Sequence, residues 1–363
     1  MVRVGIVGCG KIADQHAMAI QRITNATIVG VCDQEELMAR QLYERFEVPW
    51  YGTELEDLLN TVHPDVVHIT TPPQSHFEIA KKCLEAGVHV YVEKPFTVNR
   101  GEAKDLIQLA EERKLKITVG HNLQFTKAAI RARELVASGY LGGNPTHIES
   151  YYCYDLRDQQ YAKAFLSDKE HWVRKLPGGL LQNLISHGIS RIAEFLSGET
   201  AKVIACGFTS PLLKSLGENK IVDELRVIVQ DDKGTTGYFT FSSQWGVILH
   251  QLRLFGPKNA IIVDDDYETV VKVNGKLYKS YLQQFVPPFT LGLQYMGNTF
   301  KNIKNFIKRD LYQDSGLKCL IEKYYESIES NKPVPIPYRE ILLTSLIMDE
   351  IFSQLKSRMN EMA

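Results

Sequence analysis

Val2-Arg3-Val4-Gly5-Ile6-Val7-Gly8-Cys9-Gly10-Lys11-Ile12-Ala13 reads as an apolar run, two glycines and the start of a helical pattern. A strand, a tight turn and a helix in that order form the phosphate-binding element of a dinucleotide fold. Gly8 permits the turn, Gly10 lets backbone approach a pyrophosphate, and Ala13 allows close packing of helix on strand. The helix N-terminus would offer amide donors and a favourable dipole to the phosphates, so Cys9, Lys11 and Ile12 join the glycines as candidate cofactor contacts. Taken alone, a Gly-x-Gly-x-x-Ala string is weak, because chance glycine turns are common. Its position between strand and helix decides the reading, together with Asp33 at the end of the next strand. That carboxylate suits both ribose hydroxyls of NAD and would repel a 2′-phosphate. NAD is therefore expected over NADP. Asp33 is also placed to cap a helix before Glu35 and Glu36, a role compatible with the first.

Working outward, the first third alternates short apolar strands with amphipathic helices. The pattern predicts strands over Val2–Val7, Thr27–Cys32, Val66–Thr70, Val88–Val92 and Ile117–Val119. Helices are predicted over Lys11–Ile20, Leu37–Phe46, Gln74–Ala86 and Arg100–Arg113. Short connections of this kind imply right-handed crossovers and a doubly wound parallel sheet. After about residue 122, strands predicted over Thr146–Tyr154, Lys202–Phe208, Leu225–Gln230, Thr236–Gln244, His250–Gly256 and Ala260–Val263 follow without intervening helices, apart from one over Gly179–Leu196. Residues 291 to 355 return to helical periodicity. The expected class is α/β: an N-terminal Rossmann domain over 1–121, then an α+β domain over 122–363 with a large, mostly antiparallel open sheet. The final helices could pack back on the first domain.

Composition narrows the function. With 363 residues, 44% hydrophobic and 23% charged, the chain has the material for two cores. A net charge of -1 supplies no basic field for nucleic acid or an anionic membrane. No apolar run approaches the ~20 residues needed to span a bilayer. Six scattered cysteines without a Cys-x-x-Cys pair read as reduced and mostly buried, and no metal site is expected. With no charged leader at the N-terminus, a cytoplasmic location is expected.

Glu93-Lys94-Pro95 follows the apolar strand Val88–Val92. Proline holds its own backbone angle and favours an extended Lys94, giving the ammonium a defined direction at the carboxyl edge of the sheet. Open α/β sheets bind their ligands there.

With this triplet in view, the chain resembles the glucose–fructose oxidoreductase / inositol dehydrogenase (Gfo/Idh/MocA) family nearly end to end. The resemblance rests on the Gly8–Ala13 turn, Thr71-Pro72-Pro73 with His76, Glu93-Lys94-Pro95, and His121-Asn122 followed by Phe125. Trp172 and Arg174 ahead of Gly178-Gly179, and then His187, complete it. It implies cofactor contacts from Thr71, Pro72, His76, Glu93, Lys94 and Asn122. It also implies that Lys94, His187 and Asn183 form the catalytic set, and that Lys94, Tyr154, Trp172, Arg174, Asn183 and His187 meet a sugar-like substrate. Family members carry an aspartate one helical turn before this histidine; here it is Asn183, which cannot take up a proton. Where the family motif continues to an arginine after Asn122, this chain has Gln124. Gln182 and Ser186 add polarity to the helix of His187. Tyr151, Tyr152, Tyr154, Asp155 and Arg157 are further candidates, with a half-buried aromatic strand face as the plain alternative. Lys301, Lys304, Lys308 and Arg309 read as a solvated helix face.

The expected activity is NAD-dependent hydride transfer to or from a carbinol or carbonyl carbon of a sugar, cyclitol or sugar derivative. Lys94 would exchange the hydroxyl proton. Two alternatives stay open: a lyase or hydrolase that oxidises its sugar transiently with tightly held NAD, and a non-catalytic NAD-sensing protein. By analogy with the family, the open face of the second sheet would make a homodimer or homotetramer.

Overall fold

The computed structural model describes residues 1–155, 166, 168–308 and 315–361. The chain divides into two compact units, Met1–Asn122 with Gly316–Ser345, and Leu123–Ser315 with Leu346–Ala363.

The first unit is built on β1 (Val2–Val7), β2 (Ala26–Cys32), β3 (Tyr51–Gly52), β4 (Val66–Ile69), β5 (His89–Val92) and β6 (Ile117–Val119). They lie in the order β3-β2-β1-β4-β5-β6, with every pairing parallel. Strand order reverses between β1 and β4, the topological switch point at which such sheets take ligands. Near-continuous Val and Ile runs suit strands buried on both faces. The register then places the candidate residues. Val7 lies opposite Cys32 and Ile69, Ile69 opposite Val92, and Val92 opposite Val119. The residues that follow, Gly8, Asp33, Thr70, Glu93 and Gly120, therefore leave the sheet along one carboxyl edge. From the late segment of the same unit, the Tyr324 hydroxyl bonds the carbonyls of Val90 and Lys116, both at 2.8 Å.

The second unit holds β7 (His147–Cys153), β8 (Ala201–Phe208), β9 (Glu224–Asp231), β10 (Thr236–Ser242), β11 (His250–Phe255), β12 (Asn259–Asp264) and β13 (Thr269–Asn274). Their order is β13-β12-β11-β7-β10-β9-β8, with β7 and β10 parallel and the remaining neighbours antiparallel. One face buries Ile148, Val227, Val229, Phe239, Phe241, Leu252 and Leu254. Helix Ser186–Ala193 lies on this face: Ser150 donates to the Gly188 carbonyl at 3.0 Å, and a Cβ on Gly188 would meet the Phe239 ring at 2.2 Å. On the other face Ile204, Ile228 and Tyr238 stand exposed in one register row.

Two helical features differ from the sequence reading. Helix Lys127–Ala137 follows residue 122, capped by the Thr126 side chain, where no helix was expected. It buries mainly small Ala128, Ala129 and Ala132 with Leu135, a faint apolar stripe. The helix expected over Gly179–Leu196 is two segments, Gly179–Leu184 and Ser186–Ala193, adjoining at Ile185.

Candidate functional site

Gly8 has φ +92°, and a Cβ there would lie 2.7 Å from the Thr71 backbone nitrogen. Only glycine lets the two loops approach so closely. Gly10 differs. Its φ is -76°, and a Cβ would meet nothing within 4 Å. Gly10 is also the N-cap of helix Lys11–Gln21, which no side chain caps, so the first helical amides face that open space. An anion is the natural complement to such a terminus. Ala13 is fully buried, as close helix–strand packing requires. At the end of β2, Asp33 accepts hydrogen bonds from the backbone of Cys9 (2.6 Å) and Glu35 (2.9 Å). It steadies the glycine turn from the neighbouring strand and stays partly exposed. Helix Glu36–Phe46 takes Glu35 as its N-cap residue, so Asp33 secures the approach to that helix without capping it. These residues fit a dinucleotide: a turn without a side chain, uncapped amides, and a carboxylate with lone pairs to spare.

Glu93 and Lys94 leave β5 beside them. Tyr91 through Thr97 are all buried except Lys94, which is partly exposed. The Lys94–Pro95 peptide is cis. The Glu93 carboxylate lies 2.9 Å from His16 Nε2 and accepts the Lys94 backbone N–H at 3.1 Å. Behind it runs a buried polar chain. His16 Nδ1 lies 2.8 Å from His68 Nδ1, and His68 Nε2 lies 2.8 Å from the Tyr325 hydroxyl. Tyr91 stacks flat on His68 at 4.5 Å. The contacts form one continuous hydrogen-bonded line from Tyr325 through His68 and His16 to the Glu93 carboxylate, which accepts from His16. Burial alone would raise the Glu93 carboxyl, but the His16 hydrogen bond and the nearby Lys94 outweigh it and hold it below the ordinary carboxylate value. Burial pushes the Lys94 ammonium down, against the raising influence of Glu93. A lysine so placed gives up a proton more readily than one in water. Burial also lowers His68 well below its ordinary value and takes His121 down to about 3. Gly120 completes the arrangement, since a Cβ there would stand 2.6 Å from Glu93 Oε1.

His76, a candidate cofactor contact, packs between the segments that follow β4 and β5. It is fully buried, and its ring nitrogens lie 2.9 Å from the carbonyl oxygens of Thr71 and Pro95. It braces two loops at the sheet edge. Pro72 enters the short helix Pro73–Ser75, and the Ser75 hydroxyl donates to Thr71 Oγ1 at 2.8 Å. Asn122 is partly exposed, yet its buried Oδ1 has no hydrogen-bond partner among the described residues.

In the second unit, Asn183 and His187 are the only partly exposed positions between Leu180 and Ala193. They share one outward side, a helical turn apart. The His187 ring stacks with Tyr152 at 5.6 Å, and Tyr152 contacts His250 at 4.3 Å. The alternation of β7 sends Tyr151 to the opposite face, against Glu149 and Arg253. Tyr154 follows the strand and donates its N–H to Ser242. Several polar candidates are engaged within the unit. Arg174 makes a two-pronged pair with Glu218, at 2.6 and 3.2 Å, and holds that carboxyl below its ordinary value. Gln182 accepts from the Gly178 amide at 2.9 Å, and Gln124 donates to the Ser190 carbonyl at 3.2 Å. Trp172 stacks on His171 at 5.5 Å. Ser186 is buried, and its hydroxyl has no hydrogen-bond partner among the described residues. Arg157 and Arg309 lie outside the described residues.

His16, His68 and Tyr325 escaped the sequence reading. His16 follows the glycine turn by two helical turns, a usable signal, but nothing local ties it to residues 68 and 325.

Comparison with known proteins accords with this geometry. Residues 2–121 match a model described as oxidoreductase family, NAD-binding Rossmann fold, the Gfo/Idh/MocA model. Oxidoreductase P35 of Formosa agariphila is 31% identical over 38% of this chain and 43% of its own length, so less than half of that relative is matched. A myo-inositol 2-dehydrogenase of Thermotoga maritima is 23% identical over 85% of this chain and 87% of its own. The WlbA dehydrogenase of Bordetella pertussis, solved with NADH and UDP-GlcNAcA, superposes with a TM-score of 0.77 at 16% identity, covering 98% of this chain and 96% of that one. At that identity the likeness establishes the fold.

Proposed function

We propose, from the match of residues 2–121 to the Gfo/Idh/MocA NAD-binding oxidoreductase model, that the chain moves a hydride between NAD and a CH–OH carbon of a sugar, cyclitol or nucleotide sugar. The observation that carries the reading is Lys94. It is the one partly exposed residue of a buried run, its ammonium is made more acidic by burial, and Glu93 and His16 secure its backbone from behind. The relatives named for inositol and crystallised with a nucleotide sugar support a polyhydroxylated substrate.

The nicotinamide would supply hydride chemistry; the protein binds, orients and handles the proton. Gly8, Gly10 and the uncapped amides of helix Lys11–Gln21 would hold the diphosphate, and Asp33 the ribose hydroxyls. Asp33 favours NAD over NADP. The arginines of the following helix are committed elsewhere, Arg40 to Glu44 and Arg45 to Asp14, each at 2.8 Å. In the oxidation direction Lys94, as the neutral amine, accepts the substrate hydroxyl proton, and in reduction it returns it. His187, stacked on Tyr152 beside Asn183, contributes substrate contacts. Arg174, Gln182 and Gln124 support the second unit from within.

A panel of sugars, acid and amino sugars, inositols and UDP-sugars, read by NADH absorbance, tests the proposal. Turnover on at least one class is expected. Tight NAD binding with no NADH formed on any of them, and no elimination product, would leave only a dinucleotide-binding protein.

A further inference from the structure

Helix Val286–Ile307 is amphipathic in the reverse of the usual sense. Its polar side holds the protein. Gln294 bonds both the N–H and the C=O of Lys272, at 2.8 and 3.0 Å; Asn298 donates to Val270 at 3.0 Å and Asn302 to Tyr267 at 2.8 Å. These three side chains, four residues apart, close the outer edge of β13, the edge strand of the second sheet. The apolar side is left to solvent. Phe289, Leu293, Met296, Phe300, Ile303 and Ile307 are between 48% and 74% exposed, and the helix buries no residue.

Those six recur at intervals of four, three, four, three and four residues. At about 100° per residue they fall within an arc of about 80°. That spacing and narrowness describe the a/d seam of a coiled coil, and a seam of this kind fits the matching seam of another helix. The exposed apolar area is roughly 600–700 Å², near the upper limit for a typical monomer's largest patch and close to the ~800 Å² that each partner gives a standard interface.

We propose that this helix pairs with the same helix of a second copy of the chain, antiparallel, about a two-fold axis near Asn298. Charge selects the orientation. Between residues 285 and 308 there are three lysines and no acidic residue. Parallel pairing would gather Lys301, Lys304 and Lys308 of both copies at one end of the pair, whereas antiparallel pairing puts the two sets at opposite ends. Antiparallel pairing sets Phe289 against the second copy's residue 307, Leu293 against 303 and Met296 against 300. The pairing differs from one through the sheet face of Ile204, Ile228 and Tyr238, and it stands whether or not the proposed activity is correct.

Light scattering coupled to gel filtration tests it on the full chain. The wild-type mass is expected at an even multiple of the chain mass, and Phe300→Glu should halve it. Because the seam lies outside the core, thermal unfolding of the variant's second unit should still be cooperative, and Ile303→Lys should repeat the result if Phe300→Glu folds poorly. Ile228→Glu, on the sheet face, should leave a helix-paired dimer. In a Cys206→Ser background, Met296→Cys/Phe300→Cys should give a covalent dimer on mild oxidation, and Phe289→Cys alone should not. A monomeric wild type, an unchanged mass for both seam variants, or cross-linking through Phe289→Cys would overturn the proposal. So would a monomer that sediments with phosphatidylserine vesicles, which would assign the stripe to a membrane surface.

Discussion

Gly8 and Gly10 differ by two positions, and adding the same methyl group to each should have opposite consequences. In Gly10→Ala the backbone already has φ -76°, which alanine adopts without strain, and the new carbon meets nothing within 4 Å. Folding stability should stay within about 1 kcal/mol of wild type, with a small gain possible from a stiffer unfolded chain. The methyl group would occupy the space in front of the helix amides. NADH affinity should therefore fall about 10- to 100-fold, equivalent to about 1.4–3 kcal/mol of steric cost. In Gly8→Ala the residue sits at φ +92° with Thr71 backbone 2.7 Å from the new Cβ, and backbone cannot step aside cheaply. Folding itself should lose about 3 kcal/mol or more through strain and overpacking together. Urea unfolding of the protein without cofactor and fluorescence titration with NADH separate the two effects. If Gly10→Ala binds NADH as tightly as wild type, the open space is not the diphosphate site and the reading of the turn fails.

Other expectations follow from the same geometry. Gly120→Ala must push the Glu93 carboxylate off His16, costing about 2–5 kcal/mol of stability from a lost charge-assisted hydrogen bond and overpacking; an unfolding midpoint equal to wild type would show that Glu93 has slack. His121 is held neutral down to about 3, whereas the unfolded chain takes up that proton near 6.5. Stability should thus fall as pH drops below 6.5, by about 2 kcal/mol between pH 7.5 and 5 from this group alone; His121→Gln should flatten the profile by that amount, and an unchanged slope would argue against a neutral imidazole. Asn183→Asp places a carboxylate one turn from His187 and should raise the histidine's pKa, moving the acidic limb of the kcat/KM profile to higher pH; no movement would mean that His187 does not titrate in turnover.

How much of this was legible depended on sequence distance. The glycine turn, Asp33 and Glu93-Lys94-Pro95 each follow a strong apolar strand, so their place at the sheet edge could be read directly. Helix Lys127–Ala137 was missed because its buried face is largely alanine, a weak periodic signal. Strand Thr269–Asn274 was missed for a related reason: only Val271 is fully buried in this edge strand, and its outer edge is closed by amides of a later helix. The His16–His68–Tyr325 chain was illegible because its last link spans 257 residues. His76, Arg174 and Gln182, read as ligand contacts, also have partners within the protein: Thr71 and Pro95 for His76, Glu218 for Arg174 and Gly178 for Gln182.

The central claim is that Lys94 handles the proton of the reacting hydroxyl while taking little part in holding the cofactor. Lys94→Ala, assayed on whichever substrate class the panel identifies, tests it most directly. The account requires kcat to fall by at least about 100-fold, the contribution typical of a positioned acid–base group, with the dissociation constant for NADH changing less than about threefold. Turnover near the wild-type rate in that variant would contradict it.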